Sequence, residues 1–330
     1  MAGARSTGAS FARTPVPADR RTGEPTLIAV ATDRKTSSAT EDDALAIQRL
    51  TARWRVQVEP VPWDAPADWG RYAAVLIRST WDYHLRPSAF LAWAELVERS
   101  GAVLWNPASV VRWNADKRYL ADLARAGVPV IPTERIPRGT TVQLGQLLER
   151  LGWEQAIVKP AVSAGSYRTV RLGPDDLGDS APLIRAILEE TDALVQPFLP
   201  EVCSEGEWSF IYFADGNGAL AFSHAVLKRP APADFRVQSD YGGTAEAVAP
   251  PPSLLRQADA AVATIARLAP GPLLYARIDG VVSAGTHGPA GTLLLMEAEL
   301  IEPALFFATD AGAADRFADA VARRLALAPA

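Results

Sequence analysis

The stretch Leu293-Leu294-Leu295-Met296-Glu297-Ala298-Glu299-Leu300-Ile301-Glu302-Pro303 decides the fold. Its apolar flanks predict a buried strand over Leu293–Leu300. Side chains alternate along a strand, so Glu297 and Glu299 fall on one face. Upstream, across a glycine-rich loop, the apolar run Leu274–Val282 carries Arg277-Ile278-Asp279. Pairing of these two strands would set Asp279 beside the glutamates. Three carboxylates on one buried face repel each other unless a cation sits among them. Magnesium with nucleotide phosphates is the usual resolution, because it takes a few carboxylates plus phosphate oxygens. A solvated polar face is the alternative, and the apolar flanks oppose it.

Ile157-Val158-Lys159-Pro160 reads as a second buried strand that ends in a cation. The small-residue loop after it (Ala161–Ser166, with Ser163, Gly165 and Ser166) offers free backbone N–H groups, which suits phosphate. The GxxxxGK[ST] pattern is missing, so this is not a P-loop. Lys117 falls near the start of a helix predicted from an Asn114 cap to Ala126, with Gly127 closing it. A helix start disfavours a cation unless an anion is close. Lys35, Lys117, Lys159 and Lys228 are the only lysines among 33 basic residues. A lysine retained in so Arg-rich a chain suggests a need for a compact ammonium, with drift as the plainer reading.

Gln196-Pro197-Phe198-Leu199 is an extended segment broken by proline. It can offer backbone groups to a flat base, with apolar neighbours over its faces, and Glu207 can accept ribose hydroxyls. Alone, the segment reads equally as a linker. Arg277 shares the face of Asp279 and can hold a carboxylate or a developing oxyanion. Lys228 and Arg236 lie in or beside the polar loop 229–244 and could fold over phosphates. Arg78-Ser79-Thr80-Trp81-Asp82-Tyr83-His84 follows a buried strand, and such strand ends host ligands in open α/β sheets. His84 by itself reads as packing, and Asp42-Asp43 as a dipole-favoured helix start.

The 330 residues are 48% hydrophobic and 22% charged, with a net charge of −5. That length suggests two or three units, and the acidic balance argues against a nucleic-acid partner. No apolar run approaches a membrane span. One cysteine, Cys203, excludes an internal disulfide and suggests a reducing, cytoplasmic setting. The expected class is α/β, turning α+β in the C-terminal part. Residues 1–25 read as a disordered extension. Residues 26–110 read as a small parallel α/β domain, 111–200 as a lysine and phosphate-loop subdomain, and 201–330 as a strand-rich subdomain carrying the acids.

In chain order these motifs resemble the ATP-grasp superfamily over about residues 106–310. The N-terminal unit resembles the small α/β domain that commonly precedes that fold. The resemblance implies ATP bound by Lys117 and Lys159, by the loop of Ser163, Gly165 and Ser166, by the adenine hinge Gln196, Phe198 and Leu199, and by Glu207 at the ribose. It also implies two Mg2+ ions on Asp279, Glu297 and Glu299, with Mn2+ as a substitute. Arg-x-Asp followed by Glu-x-Glu is similar to the Arg-x-Asp…Glu-x-Asn set of D-alanine ligases and glutathione synthetases, with Glu299 in place of the Asn. Ala31-Thr32-Asp33-Arg34, Ser79–Tyr83 and Glu297–Pro303 resemble the glutathione-synthetase-like ligases of antibiotic pathways, which include a cycloserine-forming cyclo-ligase. An amino-acid-like carboxylate would then be activated as an acyl phosphate, with Arg277, Lys228 and Arg236 as catalytic cations. In the cyclo-ligase version, O-ureido-D-serine closes to D-cycloserine. Such ligases are often homodimers. A phosphotransferase and a non-catalytic nucleotide-binding module are the competing readings.

Overall fold

A computed structural model describes residues 25–330 except 233 and 328. The expected extension therefore lies, but for Pro25, outside the described residues. The first unit runs β1 (Thr26–Thr32), α1 (Glu41–Arg53), β2 (Val56–Pro62), β3 (Ala74–Ser79), α2 (Pro87–Arg99) and β4 (Val103–Trp105). Its strands are parallel in the order β2-β1-β3-β4. Helix α1 starts where the Thr40 side chain accepts from the Asp43 N–H, with three acids in its first turn. These are the groups that satisfy free N–H donors and favour the positive helix end. Chain order leaves from β1 to β2 on one side and reaches β3 on the other, so ligand-accepting strand ends meet between β1 and β3.

The second unit holds α3 (Ala108–Asn114), α4 (Tyr119–Arg125), β5 (Glu134–Ile136), α5 (Leu144–Leu151), β6 (Ala156–Pro160), β7 (Val170–Leu172), α6 (Leu177–Glu190) and β8 (Ala193–Pro197). Its antiparallel sheet has the order β5-β8-β6-β7. Leucines of α5 and the Ile184, Ile187, Leu188 stripe of α6 cover one face. That spacing is the helical repeat of an amphipathic helix.

The third unit holds α7 (Glu201–Ser204), β9 (Glu207–Ala214), β10 (Leu220–Arg229), β11 (Thr244–Ala247), α8 (Pro252–Leu268), β12 (Tyr275–Val282), β13 (Leu293–Glu299) and α9 (Ala313–Leu325). Its sheet is antiparallel in the order β11-β10-β9-β12-β13. Helix α8 packs on one face. Helix α9 fills the other, where Phe317 and Val321 join Ile28, Val30 and Leu76 of the first sheet in one core. The Tyr275 hydroxyl lies within 3.1 Å of the carbonyls of Ile77, Trp105 and Ile301, which locks the first unit to the third. No helix among the described residues is long and apolar enough to cross a membrane.

The structure corrects the helix expected from Asn114 to Ala126. Asn114 ends α3, and α4 begins only at Tyr119. The Asn114 amide instead serves the outer edge of β13, donating to the Ala298 carbonyl and accepting from the Leu300 N–H. An edge strand presents unpaired backbone groups, and burying them without partners would be costly. Two bonds to that edge outweigh one cap. Helix α9 was not anticipated from the sequence, although Phe317, Val321 and Leu325 recur at helical spacing.

Candidate active site

The register of β12 on β13 pairs Arg277 with Glu299 and Asp279 with Glu297. This is the juxtaposition that alternation and antiparallel pairing require. A bulge follows Asp279. There Gly280 is obligatory, because a Cβ would sit 2.8 Å from the Leu294 carbonyl oxygen.

Cations meet these acids from three directions. Arg277 is buried and binds both Asp279 oxygens at 2.9–3.2 Å, contacts Glu299, and donates to the Ala304 carbonyl at 2.9 Å. Lys117 Nζ lies 3.0 Å from Glu297 and donates to the Ser163 carbonyl at 2.7 Å. The anion demanded by a lysine near a helix start is thus Glu297. Lys228 pairs with Glu207 and stands 3.5 Å from Asp279. It stands beside the loop, as one of the two expected positions, but as a buried strand residue of β10. Its neighbour across the sheet is Glu207, so both alternate onto the acid face.

The electrostatics follow from burial and pairing. Burial opposes ionisation of Asp279, but Arg277, Lys228 and the Ser209 hydroxyl outweigh it and hold the carboxyl at about 2. Burial pushes Glu299 up to about 7 against the pull of Arg277, with Asp279 and Glu297 adding to the rise. Burial and then Lys117 push the Lys159 ammonium down, while Glu297 and Glu207 pull it back. Lys159 therefore feels the same acids and completes a pair of ammonium groups beside the phosphate loop. That loop has Gly165 at φ +58° and Ser166 at φ +59°. Lys117 anchors its start, through a backbone bond to Ala161. The Tyr167 ring packs 4.8 Å from His84 of the first unit.

The hinge residues lie where β8 ends. Gln196 is buried and donates to Thr133, and Phe198 donates its N–H to the Gln155 carbonyl. Leu199 belongs to a small apolar cluster with Ile131, Val202, Val237, Val281 and Leu294, flanked by Met296. Arg236 is set apart from the acids. Asp234 grips its guanidinium at 2.8–3.0 Å and Tyr241 stacks on it at 3.6 Å. A carboxylate two residues away outcompetes a distant one, so the loop folds on itself.

All-oxygen donors on adjacent strands fit magnesium, a hard cation. Yet among the described residues no three carboxylate, His or Cys groups converge on one point. Glu297 leans to Lys117, and Glu299 and Asp279 to Arg277. Sequence reasoning missed Ser209, which hydrogen-bonds Asp279. It also missed the role of Asp43, which holds the buried Arg78 at 2.8 Å. Ser209 pairs with Asp279 across β9 and β12, a register that the pattern of β9 could have revealed.

Glu302, just past β13, is buried, and burial with Glu299 and Glu297 pushes it up to about 8 from 4.5. A carboxyl raised on folding stabilises the fold fully below its unfolded value, and that contribution is lost as pH climbs through the folded value. The penalty therefore builds between pH 4.5 and 8. Glu302→Gln should match the wild type in melting temperature at pH 4 and exceed it by several degrees at pH 8.5. Thermal melts of ligand-free protein read this, and a difference independent of pH would contradict it.

The ATP complex of D-alanine–D-alanine ligase from Bacillus anthracis shares this fold, with a TM-score of 0.63 at 15% identity over 91% of this chain and 96% of that one. Two antiparallel sheets joined by the contact of Lys117 with Ser163 and Glu297 give the chain the ATP-grasp fold. Residues 28–106 match the family described as D-cycloserine synthetase DcsG, N-terminal domain. The cycloserine biosynthesis protein DcsG of Streptomyces lavendulae is 33% identical over 285 residues, 82% of this chain and 89% of that protein. The crystal structure of D-cycloserine synthetase DcsG aligns with a TM-score of 0.77 at 30% identity, covering 91% of this chain and 99% of the other. The chain belongs to the DcsG family.

Proposed function

We propose that this enzyme uses ATP to close O-ureido-D-serine to D-cycloserine through an acyl phosphate. The observation that carries the reading is the cross-strand set Arg277–Glu299 and Asp279–Glu297, with Lys117 and Lys228 drawn onto the same face. Membership in the DcsG family supports the substrate. Lys117, Lys159 and the loop of Ser163, Gly165 and Ser166 receive the phosphates. The hinge Gln196, Phe198 and Leu199 and the cluster behind it receive the base. Glu207 serves the ribose and Lys228 the transferred phosphoryl group. Asp279, Glu297 and Glu299 would hold magnesium, two ions with manganese as a substitute; when bound, it neutralises charge on the phosphates.

A substrate carboxylate oxygen attacks the γ-phosphorus and ADP leaves. The ureido nitrogen bonded to oxygen then attacks the acyl carbon, phosphate leaves, and the five-membered ring closes. Water takes the carbamoyl group off as carbon dioxide and ammonia. Arg277 holds the carboxylate first and the tetrahedral oxyanion next, from a guanidinium fixed by Ala304. The loop 229–244 excludes water from the acyl phosphate. ADP release screened over amino-acid-like carboxylates, with mass spectrometry of products, tests this. The reading expects O-ureido-D-serine to give D-cycloserine and one ADP per ring. ADP without a ring, or a stable phosphorylated product, would overturn it.

A further inference from the structure

Most acids around the site have a cation of their own. Asp43 has Arg78, Glu207 has Lys228, Asp279 has Arg277, and Glu297 has Lys117. Three buried acids among the described residues have no cation: Asp33 and Glu201, which accept the Thr36 and Ala284 N–H groups, and Glu302. Glu302 is only 8% exposed, yet no cation side chain among the described residues hydrogen-bonds or ion-pairs with it. A buried carboxylate without a cation is costly, and its proton affinity rises accordingly. Burial, Glu299 and Glu297 act in that direction here, and Lys117, which makes no bond to Glu302, offsets them only in part.

The chain nonetheless fixes Glu302 firmly. Trp81 donates to its carbonyl at 3.3 Å, Arg78 to the Pro303 carbonyl at 2.8 Å, and Arg277 to the Ala304 carbonyl at 2.9 Å. Three donors on three successive carbonyls hold a segment that lacks regular structure. Alongside it stands more unused polarity. The hydroxyls of Thr32, Ser79 and Thr80, at the ends of β1 and β3, are fully buried and have no hydrogen-bond partner. The Tyr83 hydroxyl is pushed well up by burial and then by Glu302, Glu297 and Glu299, so it lies in the field of the same acids. Unsatisfied buried polar groups at a strand-end crevice await a polar ligand.

We propose that Glu302 receives the α-ammonium group of the substrate and thereby selects amino acids over simple carboxylic acids. The inference rests on the reaction proposed above and deepens it. An α-amino acid carries its ammonium and carboxylate on one carbon, so the two recognising groups must be neighbours. Glu302 lies two residues from Ala304, whose carbonyl steadies Arg277, the residue assigned to the carboxylate. An ammonium arriving at Glu302 supplies the cation that the folded chain withholds.

The test compares O-ureido-D-serine with 3-(ureidooxy)propanoic acid, the same molecule without its amino group, by ADP release. The wild type should prefer the amino acid by roughly 10²-fold in kcat/KM, as sites built around a polar group reject analogues lacking it. Glu302→Gln should bring the two within a few fold, mainly by raising KM for the amino acid, with KM for ATP unchanged. Glu302→Asp, which keeps the charge, should retain the preference. Equal efficiencies in the wild type overturn the inference without any variant, and so does a preference preserved in Glu302→Gln. A wild type that binds ATP but releases no ADP with O-ureido-D-serine overturns the proposed reaction, and the inference with it.

Discussion

Glu297→Gln is expected to cut substrate-dependent ADP release by roughly 10³-fold while leaving the fold intact. The amide keeps the shape of the side chain but not its charge. That charge faces Asp279 across the strand pair and lies 3.0 Å from Lys117. Losing it removes a metal-type oxygen donor and leaves a buried ammonium without its partner. The expected signature is a loss in kcat, with far-ultraviolet circular dichroism and melting temperature close to wild type. Glu297 is 29% exposed and the Lys117 ammonium keeps its bond to the Ser163 carbonyl, which limits the structural cost. Unchanged ADP release would remove Glu297 from the site.

Arg277→Met should damage both activity and stability. The guanidinium serves Asp279, Glu299 and the Ala304 carbonyl at once from a buried position. Removing one member of a buried ion network leaves its partners charged and unpaired, which costs about 3–5 kcal/mol. Activity should fall by roughly 10³-fold through loss of the oxyanion donor. Arg277→Lys should rescue little, because a single ammonium cannot bridge three partners that a planar fork reaches. Urea denaturation and steady-state kinetics on the same preparations separate the two effects. A variant as stable as wild type would contradict the buried network.

The acid strand was legible because two signals agreed there. Apolar flanks implied burial, and a period of two put Glu297 and Glu299 on one face. The antiparallel register then placed Asp279 by geometry alone. Lys117 and Lys159 were legible through their places next to a small-residue loop. Asn114 was misread because a cap and an edge-strand partner demand the same amide, and only tertiary structure shows which demand prevails. Lys228 was placed in or beside the loop because β10 runs on to Arg229, beyond its apolar part. Arg236 was assigned to the phosphates, while Asp234, two residues before it, holds it locally. Glu302 stood in the quoted motif, but its burial and the anchoring of its segment depend on Trp81, Arg78 and Arg277, which lie far from it in sequence.

The most direct measurement follows oxygen. O-ureido-D-serine carrying 18O in both carboxylate positions is turned over with unlabelled ATP, and the released phosphate is weighed by mass spectrometry. An acyl phosphate intermediate puts one 18O in each phosphate. Unlabelled phosphate accompanied by ring closure would contradict the account.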